Sequence, residues 1–453
     1  MNGFRHLMLR IASDRMRGLA LCLALSICVF GRVDSALAQA AAPGQPPIDP
    51  PENRVLPTGA GMLSIGQWLL SPTLDLYSLY DSNIQASSTN RLAGSGFHYH
   101  PALLAERDTG IYDTKLYGNF DSTLYPTQNA LNTFNRQAGG SETYAPLRDL
   151  IFTTAFDYTH STNAAVVVNT FPTPIISPAN PVTPGAAGVV ATQQSTVNPN
   201  NNYTATVSAY KEFNRAFLTL GSSIFLTQYE MTPTSNYYKE LYTGGGGFWF
   251  TPLLYAFANS SDVNVIPAVG PVSNSYTARA GIGSAQIGLF QGSIYYGQQG
   301  TAVDQNGGSA GGDIYGGTVS FFPTPVWNMS VSVDRQRNRS DITATNVQGL
   351  GGLGLSAVGV SSNSDTQITV IAYRSNYTLS DQASAYVVVS DTRIVFLEMP
   401  RVDNSWLVSA GLQYQLRDNL SLSLDYQYTR YLTEQPLQSF NRNLVTLGAH
   451  YKF

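Results

Sequence analysis

Charge is scarce in this chain. Only 12% of its 453 residues are Asp, Glu, Lys or Arg, about half the share usual for soluble domains. Cysteine is scarcer: the two present, Cys22 and Cys28, both precede Phe30. Disulfides, thiolate metal sites and cysteine nucleophiles are therefore excluded from the rest of the chain. Ile27, ahead of Cys28, is too large for a lipid-attachment signal. No apolar run reaches the roughly 20 residues that a membrane helix requires. A Gly-rich loop followed by Lys-Ser/Thr is missing, as is a His-Glu-x-x-His pair, so neither a phosphate-binding loop nor a zinc-protease helix is written here. The expectation is a protein that is not an enzyme and carries no cofactor or metal.

What is abundant points elsewhere. Tyr numbers 27 and Gly 40. The amino terminus has the form of a secretory signal over 1–38: Arg5, Arg10, Arg15 and Arg17 are followed by an apolar stretch from Leu19 to Phe30 and a small-x-small site at Ala36-Leu37-Ala38. Removing it takes away five basic residues (Arg5, Arg10, Arg15, Arg17, Arg32) and two acidic ones (Asp14, Asp34), leaving 20 basic against 27 acidic and a net charge of −7. That balance offers nothing to a nucleic acid. Residues 39–70 then read as a Pro- and Ala-rich periplasmic linker, with Pro43, Pro46, Pro47, Pro50, Pro51 and Pro57.

From Ser71 the pattern changes to alternating segments of about ten or more residues. Leu420-Ser-Leu-Ser-Leu-Asp-Tyr-Gln-Tyr428 is the cleanest: Leu420, Leu422, Leu424, Tyr426 and Tyr428 share one face and Ser421, Ser423, Asp425 and Gln427 the other. Connections alternate between tight (near Asp108-Gly110, Glu212-Arg215, Ile287-Leu289, Ser380-Gln382 and Arg417-Asn419) and loose. Short periplasmic turns and longer extracellular loops are the habit of outer-membrane barrels. The predicted fold is all-β: a single transmembrane antiparallel β-barrel over 71–453, of about 18 strands, or sixteen if weak segments at 97–107 and 253–264 are mis-split. The chain ends on Tyr451-Lys452-Phe453, which looks like the assembly signal read by the barrel-assembly machinery. Two long loops, 161–200 and 340–363, stand out as mobile outer loops or as segments folded into the lumen as constrictions.

Orienting each strand with its apolar set toward lipid puts Asp113, Lys115, Asp157, Arg279, Asp334, Asp391, Arg393 and Asp425 inside as pore-lining candidates. Asp75, Glu142 and Arg374 sit on strands of mixed pattern. Signs are interspersed, so this wall implies a wet interior rather than ion selection. Arg335, Arg337 and Arg339 share a face with Val331 and Val333 near an outer loop, where they are placed to meet lipopolysaccharide phosphates. Trp249, Phe250, Phe321, Trp327, Trp406 and Tyr431, near strand ends, read as interfacial girdles. His98 and His100 share a strand face without a nearby third ligand, and His450 is isolated.

Taken together, the strand ending Tyr80-Asp81-Ser82-Asn83-Ile84, the Asp418-Asn419 turn, the Leu-Ser-Leu-Ser-Leu-Asp-Tyr strand and Tyr451-Lys-Phe453 resemble the β-barrel porin-2 family of Gram-negative outer-membrane proteins. The resemblance covers Ser71 to Phe453 and implies no catalytic residues. Exopolysaccharide export is the role the resemblance links to some members. The strand pattern itself leads to the expectation of a passive outer-membrane pore for hydrophilic solutes or a polysaccharide chain, with outer-membrane lipid and lipopolysaccharide around it. The alternative is a structural or adhesive surface barrel that binds through its long loops.

Overall fold

Alternation lets one face of a strand meet lipid and the other water, and it leaves every spanning backbone amide to be paired by a neighbouring strand. In a computed structural model of the chain that pattern forms eighteen strands. The structure describes residues 63–84, 86–89, 91–162, 188–189, 199–303, 307–339, 346–347, 355–356, 365–397, 400–434 and 439–453. The signal assigned to 1–38, residues 39–62 of the linker expected over 39–70, and most of the loops 161–200 and 340–363 lie outside them. The last residues of that linker are instead strand, Leu63–Ile65 and the start of the barrel at Trp68. Of those loops, Leu355–Ser356 pairs with Gly188–Val189 and with Asn346–Val347.

The first six strands are β1 (Trp68–Asp81), β2 (Gly94–Asp108), β3 (Tyr112–Leu124), β4 (Thr133–Leu147), β5 (Leu150–Ser161) and β6 (Asn200–Phe213). The next six are β7 (Ala216–Tyr229), β8 (Tyr237–Thr251), β9 (Leu254–Pro267), β10 (Ser273–Ile287), β11 (Phe290–Val303) and β12 (Gly307–Thr324). The ring is completed by β13 (Trp327–Arg339), β14 (Asp365–Ser380), β15 (Ala383–Phe396), β16 (Arg401–Arg417), β17 (Leu420–Thr433) and β18 (Phe440–Lys452). Each pairs antiparallel with its sequence neighbours, and β18 returns to β1 in the register Thr73–Lys452 through Asp81–Leu444. The barrel is closed. Residues 97–107 and 253–264 are full strands, β2 and β9, so the count is eighteen and not sixteen.

Closure leaves one short edge, where β1 extends past the end of β18. Leu63–Ile65 folds back through Gly66, at φ 63°, and pairs with Trp68–Leu70 along that edge. Its amides are thus not left bare. Eight connections at this end are two or three residues long: 109–111, 148–149, 214–215, 252–253, 288–289, 325–326, 381–382 and 418–419. Two-residue hairpins favour a positive φ, which Asn214 (φ 55°) and Gly288 (φ 62°) supply. Both termini of the barrel lie at this short-turn end, the periplasmic side of such a barrel.

Outside, two aromatic belts bracket an aliphatic band. Near the short turns Tyr112 stacks on Tyr144 (4.9 Å between centroids), Phe290 on Phe321 (4.8 Å) and Trp327 meets Tyr377 edge-on (6.1 Å). Toward the other end Tyr242, Tyr276, Tyr296, Tyr315 and Trp406 are exposed, with Leu220, Ile294, Val319 and Leu424 between the belts. Phe290 and Tyr296 stand on one strand, about 20 Å apart along it. Trp249 and Tyr431, read from sequence as girdle residues, turn inward instead. Trp249 packs on Tyr255 at 4.7 Å, and the Tyr431 hydroxyl donates to Asp403 at 2.6 Å. A hydrogen-bond partner or an inner aromatic cluster outweighs their position near a strand end.

Candidate functional site: the lumen and its outer mouth

Pair register and exposure place the candidate residues on the lumen face or the outer face of their strands. Six of the eight expected pore-lining residues face inward. Lys115 lies 3.4 Å from both Asp113 and Glu106 near the short turns. Arg279 covers the Tyr295 ring at 4.9 Å, and Asp157, Asp334 and Asp425 line the wall. Asp75 and Arg374 also face in, while Glu142 faces out opposite Thr114.

Asp391 and Arg393 do not line the pore; both project outward, Asp391 opposite the exposed Trp406. Their strand carries apolar residues on both faces. The inner set, Val388, Ile394 and Phe396, is buried in lumen packing, Ile394 and Phe396 against other inward apolar side chains. The rule that apolar residues face lipid therefore picked the wrong face.

The filler on that side is the first outer loop, 82–93. Ile84 packs with Leu79, Tyr125 and Leu444, and Ala86 joins a cluster with Ile368, Val370, Ile394, Phe396, Tyr431 and Phe440. Asn83 fixes its course: its side chain donates to the carbonyls of Ser87 (2.8 Å) and Asn441 (3.2 Å) and accepts from Ser87 N (3.0 Å). At its base the fully buried Asp81 takes Arg442 Nε at 2.9 Å and Nη2 at 2.5 Å, and its other oxygen accepts Asn83 N at 2.9 Å. This short loop, rather than the described parts of the two long ones, enters the mouth.

The inner acids are tied to tyrosines across glycine. Tyr117, Gly139 and Asp157 occupy one row on β3, β4 and β5; Tyr295, Gly316 and Asp334 repeat the row on β11, β12 and β13, and Tyr386, Gly411 and Asp425 on β15, β16 and β17. Each ring lies flat over the glycine, and its hydroxyl donates to the carboxylate. Tyr117 reaches Asp157 and Tyr386 reaches Asp425 at 2.6 Å, and Tyr295 is bonded to Asp334 likewise. A Cβ on Gly139 would stand 2.5 Å from the Tyr117 hydroxyl, and one on Gly316 would stand 2.7 Å from the Tyr295 ring. These acids hold the wall together before they meet any solute.

The seam also gathers residues that looked unrelated in sequence. Asp75 on β1 is buried between His100 Nδ1 on β2 (3.2 Å) and His450 Nδ1 on β18, and His98 contacts Thr123 (3.1 Å) and Asp121 (3.4 Å). Among the described residues no group of His, Cys, Asp and Glu is placed to hold a metal ion. A Gly-x-Ser-x-Gly string at 307–311 runs within β12, not at the strand-to-helix turn that a nucleophile elbow needs.

A model of the OmpA-like transmembrane domain matches residues 365–453, which are β14 through β18 with the closing strand. With the closed ring and its two outer belts, that match decides the compartment. The chain is a bacterial outer-membrane β-barrel protein. Among solved structures this barrel is similar to a BenF-like porin from Pseudomonas fluorescens Pf-5, at TM-score 0.48 and 10% identity, covering 85% of this chain and 99% of that one. OpdK from Pseudomonas aeruginosa scores 0.46 at 10% identity, covering 85% and 98%. The siderophore receptor PirA from Pseudomonas aeruginosa scores 0.42 at 8% identity, covering 84% and 80%. No curated protein sequence matches the chain.

Proposed function

We propose that this barrel is a passive channel for small hydrophilic solutes, narrowed at its outer mouth by the loop 82–93. One observation carries the reading. Opposite the loop-filled sector, the inner faces of β6–β12 present hydroxyl and amide groups such as Thr204, Thr206, Asn259, Ser261, Thr277 and Gln299, all partly accessible. Such a wall suits a hydrated path and gives an apolar solute nothing. Lys239 and Arg279 face the same sector, while the acids Asp157, Asp334 and Asp425 are engaged by tyrosines. A tyrosine hydrogen bond leaves each carboxylate its charge, so both signs line the path and it suits small hydrophilic solutes without selecting one charge. Tyr451 and Phe453, outward and edge-on to each other at 4.7 Å, are the groups this reading offers to the barrel-assembly machinery.

A second reading, passage of a polysaccharide chain, is favoured by one feature. Tyr210, Phe217 and Phe257, partly accessible, cap the buried Trp249 and Tyr255 in an inward aromatic cluster near the short turns, with Tyr210–Phe217 at 6.2 Å and Phe217–Tyr255 at 6.5 Å. Aromatic faces are suited to stacking on sugar rings.

Planar-bilayer recording tests the proposal. Folded protein is expected to give discrete conductance steps. A variant with 84–91 replaced by a short Gly-Ser linker should give larger ones. Silence from both would sink the channel in favour of a surface-binding barrel. Steps reduced by long oligosaccharides added on the periplasmic side would support the polysaccharide reading.

A further inference from the structure

The outward rim at the upper belt is electrically divided. On β8–β12 it carries carboxylates, each held by a neighbour: Glu240 accepts from the Tyr238 hydroxyl at 3.2 Å, Asp262 from Asn274 at 3.4 Å, and Asp313 from Tyr296. On β13–β17 the sign reverses. Arg335, Arg393 and Arg430 all project outward there, and Asp391 lies among them. Arg337 turns its guanidinium onto the Gly311 carbonyl, and Arg339 stands at the end of β13 opposite Asp365.

Register brings the three arginines together. Arg335 pairs with Thr369, and Thr369 with Arg393, which puts two strands, about 10 Å, between the two arginines. Arg393 pairs with Asn404, and Asp391 pairs with Trp406, which in turn pairs with Arg430. Arg430 therefore lies two strands beyond Arg393 and one step lower, about 12 Å away. Arg335 is already fixed: it lies over the Tyr315 ring at 5.3 Å, donates to that hydroxyl at 3.4 Å and donates to Gln367. Arg393 and Arg430 are exposed. Directly below, Trp406, Val408, Val331 and Ile371 continue the lipid-facing band.

We propose that this face of β13–β17 binds a phosphorylated, acylated glycolipid of the outer leaflet, with the lipopolysaccharide phosphates on Arg335, Arg393 and Arg430 and its acyl chains on the band beneath. Guanidinium groups pair with phosphate oxygens through short charge-assisted bonds, and a cluster spaced about 10 Å apart suits a headgroup with two separated phosphates. Trp406 lies between Arg393 and Arg430 at the level where an indole prefers the interface. The acidic arc on β8–β12 would repel the same headgroup, so binding is confined to one side of the barrel.

The test uses the full folded barrel in detergent, with bound lipid followed by native mass spectrometry. Four probes are compared: bis-phosphorylated lipopolysaccharide, the same lipid with its phosphates removed, phosphatidylglycerol and inorganic phosphate. The triple substitution Arg335→Gln, Arg393→Gln, Arg430→Gln is expected to weaken lipopolysaccharide binding about tenfold or more. Arg136→Gln, an outward arginine on β4, should leave it unchanged. Removing the phosphates should erase the difference between wild type and triple variant. Arg393→Gln alone, which touches no packing, covers the case where the triple variant fails to fold, and should still weaken binding severalfold. Equal binding by wild type and either variant would overturn the proposal. So would phosphatidylglycerol or inorganic phosphate competing as well as lipopolysaccharide. This interface does not depend on the channel, so silent bilayers would leave it standing.

Discussion

Replacing Arg442 with Ala is expected to destabilise the barrel by about 3–5 kcal/mol, the largest loss foreseen for any single side chain. Arg442 is buried, and the carboxylate it serves, Asp81, is fully so, near the top of the closing seam. Truncation strands that carboxylate without a counter-charge in a place water does not reach. The damage spreads, because the other oxygen of Asp81 holds the amide of Asn83, and Asn83 sets the course of the mouth loop. Two readouts should move together: the urea midpoint of the barrel refolded in lipid vesicles, and the protease sensitivity of the loop. A double change, Asp81→Asn with Arg442→Met, removes both charges and should recover most of the loss. Arg442 Nη1 has no hydrogen-bond partner, so the pair is imperfectly satisfied even in the intact protein, and an uncharged pair forgoes little. A single variant within about 1 kcal/mol of wild type would show that the pair is water-screened after all.

The second large effect belongs to the tyrosine–glycine–aspartate rows. Gly139→Val is expected to cost about 3 kcal/mol or more. Its Cβ would meet the backbone carbonyl of Phe156 and the Tyr117 hydroxyl, both at 2.5 Å. Either the strands separate or the ring lifts and gives up its bond to Asp157. Tyr117→Phe keeps the ring and loses only the bond, so about 1.5–3 kcal/mol is expected. Gly244→Ala is the control. A methyl there meets only Leu220 and Ser260 side chains at 3.7 Å, and should be neutral or stabilising by up to about 1 kcal/mol. Equal behaviour of Gly139→Val and Gly244→Ala would mean that the glycine is not there to seat the ring.

The architecture was written plainly in the sequence because period two and turn chemistry are local signals. Leu420 to Tyr428 alternates without a break, and the tight turns near 108–110, 212–215, 287–289, 380–382 and 417–419 all fall where the structure has them. The lumen was less legible. Asp113, Lys115, Asp157, Arg279, Asp334 and Asp425 lie on strands whose lipid face is clear, and they face in. Asp391 and Arg393 lie on a strand whose inner face is also apolar, because part of the lumen there is packed and dry. That packing is a long-range fact which no single strand reports. The Asp75–His100–His450 group and the three tyrosine rows needed inter-strand register, and nothing within one hairpin fixes which glycine a distant tyrosine will cover. Asn83 did carry a signal, as an Asp-Ser-Asn run at the end of β1 that suits a turn held by side chains. Its inward course was not to be read from it.

The central claim is a hydrated path along the inner faces of β6–β12, and adjacent serines on β9 test it most directly. Ser261 faces the lumen and Ser260 the lipid, and both native cysteines precede Phe30, so a cysteine placed at either position is the sole thiol in the barrel. In planar bilayers, a charged water-soluble thiol reagent should shrink the conductance steps of Ser261→Cys and leave those of Ser260→Cys unchanged. Steps that ignore the reagent in both variants, or that respond at Ser260→Cys instead, would contradict the account.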